Sequence, residues 1–269
     1  METLSEVRPV SPVAPYLGGK RNLARRICAL IETIPHAAYV EPFVGMGGIF
    51  LRRKKKPTKE VINDLSGDVA TLFRVLQEHY PYFIDMLRWR ITSRAEFERL
   101  RALPPERLTD LQRAARFLYL QRLAFGGKVS ARTFGIARER PARFDITTLE
   151  PMLAEVHERL AGVDIEQLPY AEVIRRYDAP ATLFYLDPPY WGCEQDYGDG
   201  FTRDDFAAMA DQLVGIQGKF VLSINDTPGA REVFDRFHIE AVETTYTVGH
   251  RGAVKAGELI VSNFERGGI

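Results

Sequence analysis

The sequence has 269 residues, of which 45% are hydrophobic and 27% charged, a composition typical of a globular protein. Its formal net charge is zero, which excludes a uniformly basic nucleic-acid binder but not a local basic surface. Its two cysteines have neither disulfide nor zinc-site spacing, which favours a reducing cytoplasm. No run approaches the ~18 apolar residues of a membrane span, and the acidic N-terminus lacks a signal-peptide core.

The first part of the chain predicts an arm, a turn and a helix. Residues 1–15 contain several prolines and are expected to be irregular. The stretch Tyr16-Leu17-Gly18-Gly19-Lys20 then predicts a glycine-containing turn ahead of a helix from about 22 to 34. Taken alone, this stretch is typical of a plain lead-in to a helix.

A glycine-rich turn follows a short predicted strand at 38–41. The strand ends at Glu41 and the turn reads Pro42-Phe43-Val44-Gly45-Met46-Gly47-Gly48, where glycines allow a ligand to approach the backbone closely. The pattern is not G-x-G-x-x-G and no phosphate-binding Lys-Ser/Thr follows, which disfavours a pyrophosphate site. An acidic residue at the strand end suits an amino-acid or sugar group better.

A second strand, predicted at 60–64, ends in Asp64. It follows the charged run 52–57, which we interpret as the solvated end of a helix. The acid lies about twenty residues beyond the glycine-rich turn, the spacing at which Asp or Glu binds ribose hydroxyls in nucleotide-binding folds. The alternative is that Asp64 caps a helix near Ser66.

Residues 68–160 switch to helical periodicity and interrupt the alternation of strands and helices. We therefore predict a helical insertion at 68–160 within a catalytic domain formed by 1–67 and 161–269. A helix at about 111–125 ends at Phe125-Gly126-Gly127-Lys128 and a polar loop runs to 143. Basic residues are concentrated between positions 111 and 143, where the only acid is Glu139. The basic residues are Arg113, Arg116, Arg122, Lys128, Arg132, Arg138, Arg140 and Arg143. This charge predicts contact with nucleic-acid phosphates, a solvated surface being the alternative.

Alternation resumes after the insertion and includes the most informative turn of the chain. Strands are predicted at 163–166, 182–186 and 219–224, helices at 171–177, 203–214 and about 225–237, and a final hairpin at 238–248 and 258–263.

The strand at 182–186 ends in Asp187-Pro188-Pro189-Tyr190, a rigid turn with a carboxylate and an aromatic ring. A carboxylate and a proline carbonyl can accept the hydrogens of a nucleobase amine, and a tyrosine ring can stack on the base. An ordinary strand-to-loop turn is the alternative.

Together these stretches resemble the DNA N6-adenine methyltransferases of the D12 class, the family that includes DNA adenine methylase. The matching stretches occur in the family's order across nearly the whole chain, and they also include Asn63-Asp64, Phe117-Leu118-Tyr119-Leu120, Ser223-Ile224-Asn225-Asp226 and the strand that begins at Glu258. The resemblance implies an α/β, Rossmann-like, seven-stranded sheet that uses S-adenosylmethionine, with an inserted helical target-recognition subdomain.

The resemblance also implies roles for individual residues. The cofactor would be bound by Tyr16, Lys20, Glu41, Phe43, Gly45, Gly47, Asp64 and Asp187, with Glu41 and the glycine-rich turn at its methionine part and Asp64 at its ribose. The catalytic turn would be Asp187, Pro188, Pro189 and Tyr190, and the DNA-binding candidates are Lys128, Arg132 and Arg138. The implied reaction is site-specific methylation of a flipped-out adenine in double-stranded DNA. No metal and no membrane partner are expected, and we expect a monomer in a restriction or phage-modification context.

Two departures from the family pattern bear on specificity. Tyr16 replaces the tryptophan of DNA adenine methylase, and Phe125-Gly126-Gly127-Lys128 lacks the Asn-Gly pair and the nearby Arg-x-Asn of relatives, so the recognised DNA sequence should not be inherited from any of them. The alternatives are methylation of cytosine N4 or of an RNA base, a catalytically silent DNA-binding relative, and a small-molecule Rossmann enzyme. A serine in place of Asp187 would have favoured cytosine.

Overall fold

The computed structural model describes residues 4–16, 20, 22–129, 132–135, 143–194, 201–247 and 253–265. Among the positions named above, those outside the described residues are Leu17, Gly18, Gly19, Arg138, Glu139 and Arg140. Within the described ranges, no helix combines the length and the hydrophobicity needed to cross a membrane.

The described strands form one large sheet and one small ribbon. In chain order they are β1 (Ser5–Glu6), β2 (Ala38–Glu41), β3 (Lys55–Lys56), β4 (Lys59–Asn63), β5 (Asp164–Glu166), β6 (Thr182–Leu186), β7 (Lys219–Asn225), β8 (His238–Thr247) and β9 (Ala253–Ser262). Seven of them make the sheet β5-β4-β2-β6-β7-β9-β8, while β1 and β3 pair with each other. The β9 strand alone runs against its neighbours β7 and β8. The predicted seven-stranded α/β fold is confirmed.

The strand order places a crevice at the middle of the sheet. Strands β2 and β6 are adjacent and parallel, and the chain leaves β2 toward β4 on one side and β6 toward β7 on the other. Ligands bind at such a switch point because the connections diverge there and leave the carboxyl ends of both strands open. Every residue of β6 is buried, as expected of a central parallel strand covered on both faces.

Helices cover both faces of the sheet. They are α1 (Ala24–Thr33), α2 (Gly67–Glu78), α3 (Tyr80–Arg88), α4 (Arg94–Ala102), α5 (Asp110–Leu123), α6 (Ile146–Arg159), α7 (Tyr170–Tyr177), α8 (Arg203–Val214) and α9 (Pro228–Val233). Side chains cap several of their N-termini: Thr202 forms a capping box with Asp205, and the Ser93 hydroxyl accepts from the Glu96 N–H at 3.1 Å. Helix α9 ends at Val233, before the predicted residue 237.

Helices α2 to α6 occupy the predicted insertion between β4 and β5. Helix α5 is buried along most of its length, with Ala114, Phe117 and Leu118 among its fully covered side chains. The same hydrophobic core includes Ile27 of α1 and Phe50 beside the glycine-rich turn. The insertion is thus packed directly onto one face of the sheet, and the domain limits at 68 and 160 stay a prediction.

The structure corrects two expectations near the N-terminus. Residues 1–15 are not simply irregular: β1 pairs with β3, and Val10, Val13 and Ala14 are buried. The run 52–57 does not end a solvated helix but passes from a short 3-10 turn (Phe50–Arg52) into β3. Within it Arg53 is fully buried and pairs with Glu60 of β4, whereas Lys54 and Lys55 are exposed.

Candidate active site

A cavity of about 940 Å³ lies at the carboxyl ends of β2 and β6. Its wall includes the N-terminal arm, the glycine-rich turn, the end of β4 and the turn after β6, and further lining residues come from α5, from the segment after it and from positions 168–170, 201 and 205. All predicted cofactor-binding residues except Gly47 line this cavity. A Cβ added at Gly47 would lie 2.8 Å from Leu51, so this glycine faces the core and not the cavity.

The Asp187 carboxyl group lies in the wall of the cavity and is held from one side. Its Oδ1 accepts from Lys20 Nζ at 3.0 Å and from Ser223 Oγ at 3.2 Å. The Tyr185 hydroxyl in turn donates to Ser223 at 2.7 Å, since the Ser223 proton is already engaged. Among the described residues all of these bonds end on Oδ1, so Oδ2 remains available to a ligand. Burial raises the pKa of Asp187 to about 6, against the opposing effect of Lys20.

A buried lysine connects Asp187 with two further residues. The fully buried Lys20 Nζ contacts Asp187, donates to the Tyr190 hydroxyl at 2.9 Å and pairs with Glu258 Oε2 at 3.3 Å. The Tyr190 hydroxyl donates to the other oxygen of Glu258. Sequence reasoning matched the stretch around Glu258 to the family but assigned this residue no role, because β9 joins the site only through tertiary pairing.

The turn after β6 is also fixed from β7. The Asn225 side chain accepts from the Trp191 N–H at 2.8 Å and donates to the Trp191 carbonyl at 3.0 Å. The Trp191 ring packs on Phe206, and a Cβ added at Gly229 would lie 2.3 Å from it. The turn after β6 is therefore clamped on its C-terminal side by Asn225, a residue that the sequence analysis placed in a matching stretch but gave no role.

Two more acidic groups line the cavity, at the end of β2 and just after β4. Glu41 accepts from the Tyr39 hydroxyl at 2.6 Å, and burial raises the pKa of Glu41 to about 8. Asp64 accepts from the N–H groups of Gly45 and Ser66, each at 2.9 Å, and burial raises the pKa of Asp64 to about 6. Asp64 therefore holds both the glycine-rich turn and the start of α2 while lining the cavity.

An aromatic cluster forms one side of the cavity. Phe43 stacks on Tyr170 with ring centroids 5.5 Å apart, and Phe201 meets Phe43 edge-on at 6.0 Å. Phe43 was predicted from its motif, whereas Tyr170 and Phe201 come from distant parts of the chain. Such a cluster offers flat apolar surfaces to a heterocyclic ring.

The predicted DNA-binding residues differ in their surroundings. Lys128 is exposed and has no hydrogen bond or ion pair among the described residues. Arg132 is partly buried: it donates to Gln121 Oε1 at 3.1 Å and lies 5.3 Å from the Phe117 ring centroid. On α5, Arg113 pairs with Asp68 at 2.6 Å and the buried Arg116 donates to the Leu100 carbonyl at 2.8 Å. Much of the basic charge counted in the sequence is therefore used inside the protein.

The fold and the cavity define an S-adenosylmethionine-dependent methyltransferase of the Rossmann-like class. Residues 16–248 match the family model of the D12 class N6 adenine-specific DNA methyltransferases, and the chain belongs to this family. Its reaction is the transfer of a methyl group from S-adenosylmethionine to the N6 amino group of adenine in DNA.

Proteins of known activity show the same likeness along almost their whole length. The chain is 26% identical to the Type II methyltransferase M1.LlaDCHI of Lactococcus lactis subsp. cremoris, over 94% of this chain and 95% of the relative. It is 21% identical to the Type II methyltransferase M.CviBI of Paramecium bursaria Chlorella virus NC1A, over 93% and 95%. It is 26% identical to a DNA adenine methylase of Vibrio cholerae serotype O1, over 88% and 90%.

Proposed function

We propose that this chain is a site-specific adenine methyltransferase in which Asp187 Oδ2 and the Pro188 carbonyl accept the two hydrogens of the target amine. The observation that carries this assignment is the anchoring of Asp187 through Oδ1 by Lys20 and Ser223. An amine that accepts a methyl group becomes cationic, so an adjacent carboxylate lowers the barrier by charge complementarity. Pro189 keeps the turn rigid, because its ring fixes φ.

The residues around the cavity fit S-adenosylmethionine. The cavity has a carboxylate at Asp64 for ribose hydroxyls, a buried acid at Glu41 for an ammonium group and flat apolar surfaces at Phe43 and Tyr170 for a purine. Gly45 lets the Tyr16 ring approach, since a Cβ there would lie 3.0 Å from that ring. The cofactor supplies a methyl group on a sulfonium, whose sulfur departs as a neutral thioether. The protein contributes alignment of the amine with that methyl group.

The target base has to leave the duplex to reach Asp187, because the amine is otherwise paired inside the helix. We assign stacking on the flipped adenine to Tyr190. Its ring orientation is set by Lys20, whose Nζ lies 4.1 Å from the ring centroid, and by the hydroxyl bond to Glu258. Stacking and amine binding would then be positioned by the same buried lysine.

DNA contact is assigned to the segment between α5 and α6. The exposed Lys128 provides a phosphate-binding charge, and beside it the Phe125 ring is 62% exposed. Exposed apolar rings beside basic groups are suited to enter between base pairs that have been opened. Arg132 would hold this segment through Gln121 as well as contribute charge. The proposed role of Arg138 rests on its charge alone.

The cellular setting is also a proposal. Two of the relatives are named Type II methyltransferases and one of them is viral, which supports a restriction or phage-modification context. Cys28 and Cys193 are free thiols, in keeping with a reducing compartment such as the cytoplasm. We propose that the protein acts there as a monomer.

The direct test is identification of the methylated base. The protein is incubated with unmethylated DNA of varied sequence and labelled S-adenosylmethionine, and the DNA is digested to nucleosides. Label is expected in N6-methyladenine, within one short sequence that mapping of the modified bases would reveal. An Asp187→Asn variant, which is expected to be strongly impaired, serves as the control. Label confined to N4-methylcytosine, or spread over adenines without sequence preference, would contradict the proposal.

A further inference from the structure

Two consecutive side chains of α5 join the N-terminal arm to the segment that follows this helix. The Gln121 amide nitrogen donates to the Pro15 carbonyl at 2.9 Å and to the Gly127 carbonyl at 2.7 Å. Arg122 repeats the pattern, donating to the carbonyls of Val13 and Arg143. Each side chain thus holds one point of the arm and one point of the proposed DNA-binding segment.

The Gln121 side chain is fully buried and all its polar atoms have partners. Its amide oxygen accepts from Arg132 at 3.1 Å, while both of its nitrogen hydrogens go to backbone carbonyls. Rotation of this amide by half a turn would bring its N–H groups against the N–H groups of Arg132 and its oxygen against two carbonyl oxygens, so only one orientation satisfies all partners. Gln121 therefore fixes the distance between Pro15 and Gly127.

Direct packing reinforces this connection. Gly127 has a φ of +69°, and a Cβ there would lie 3.2 Å from the carbonyl carbon of Pro15 and from the nitrogen of Tyr16. The arm in turn reaches the cofactor site, since the Tyr16 ring packs on Gly45 and both line the cavity. A continuous chain of contacts therefore runs from the cofactor-binding turn through the arm to the loop that carries Phe125 and Lys128.

From this chain of contacts we infer that Gln121 is a positioning residue that couples cofactor binding to DNA binding. The inference rests on the proposed DNA contact of the 125–128 loop. A ligand that orders Tyr16 and Gly45 also limits the movement of Pro15. Because Gln121 is bonded to both Pro15 and Gly127, the movement of Gly127 is limited as well. Because coupling is reciprocal, DNA that orders the loop should raise cofactor affinity by the same factor. We expect a coupling factor of roughly fivefold or more, at the lower end of typical allosteric couplings.

The chain offers two matched pairs of variants. Gly127→Ala and Gly126→Ala impose similar backbone strain, since φ is +69° and +68°, but only the Cβ at 127 meets the arm while the one at 126 meets nothing within 4 Å. Gln121→Leu removes the connecting amide. Gln77→Leu removes a similar amide that donates to two carbonyls, Leu160 and Val163, each at 2.8 Å.

The experiment measures binding of S-adenosylhomocysteine by the full chain with and without a duplex carrying the mapped target site. Gln121→Leu and Gly127→Ala are expected to bring the coupling factor close to one, while Gln77→Leu and Gly126→Ala keep the wild-type factor. If Gln121→Leu does not fold, Gln121→Asn replaces it, because the shorter side chain cannot reach both carbonyls.

Three results would overturn the inference. They are a wild-type coupling factor near one, an unchanged coupling factor in both Gln121→Leu and Gly127→Ala, and an equal loss of coupling in the two glycine variants. Failure of the underlying DNA assignment gives a different result. Lys128→Ala is expected to weaken DNA binding with the coupling factor intact, and unchanged DNA affinity in Lys128→Ala and Phe125→Ala would remove the loop from the DNA interface altogether.

Discussion

Asp187→Asn is the most informative single substitution in this site. Lys20 Nζ lies 3.0 Å from Oδ1 and can only donate, so the asparagine oxygen is expected to stay at that position. The amide nitrogen then replaces Oδ2 and presents hydrogens to the hydrogens of the adenine amine. The variant keeps the volume and the internal contacts of Asp187 but loses one acceptor and the charge that balances the developing cation.

The size of the effect follows from comparable electrostatic groups in other active sites. Removal of one such preorganised group costs about 2.7–4 kcal/mol, or roughly 10²–10³ in rate. Cofactor affinity should change only slightly. Ser223→Ala is the matched control, because it removes one hydrogen bond to Oδ1 and leaves both Oδ2 and the negative charge in place, so its rate should fall less than that of Asp187→Asn.

The assay is single-turnover methyl transfer with saturating labelled cofactor, repeated as a function of pH. Because the pKa of Asp187 is raised to about 6, the wild-type rate at limiting DNA should fall about tenfold per unit below pH 6. This decrease in rate below pH 6, the acid limb of the pH profile, should be absent from the pH profile of Asp187→Asn. A variant rate within tenfold of wild type, or an unchanged acid limb, would refute the assignment of Asp187 as the ionised acceptor.

Three further outcomes are expected. Asp64→Ala should weaken S-adenosylhomocysteine binding in calorimetric titration by roughly 1.5–3 kcal/mol, with a much smaller change in the saturated rate; equal losses in both would contradict a ribose-binding role. Tyr190→Ala should lose stacking worth roughly 1–3 kcal/mol in kinetic assays, and Tyr190→Phe should lose less because only the hydroxyl contacts are removed. Glu41→Gln should stabilise the protein at pH 7, as measured by denaturant titration. The pKa of Glu41 is about 8 in the folded chain and has its ordinary value of 4.5 in the unfolded chain, so the stability of the wild type falls as the pH rises from 4.5 to 8. The gain, up to roughly 3 kcal/mol, should vanish below pH 4.5, and an equal gain at both pH values would count against a neutral Glu41.

Local sequence determined the elements and the two turns of the site. The strands at 38–41 and 182–186 were predicted with their observed limits, because short, largely apolar runs that are followed within two residues by proline have few alternatives. The Asp-Pro-Pro-Tyr turn follows from proline geometry alone. Family resemblance then supplied the cofactor and the reaction, which the family match confirms.

Only the tertiary structure decided which charged groups serve the site and which serve the fold. Arg53 and Arg116 lie in runs that are typical of solvated surfaces, yet both are buried and paired. Conversely, Glu258 and Gln121 have no local signature of function but reach Lys20 and Pro15 across the fold. The physical reason is that hydrophobic periodicity and turn chemistry act over a few residues, whereas the partner of a buried charge or amide is set by packing between segments distant in sequence.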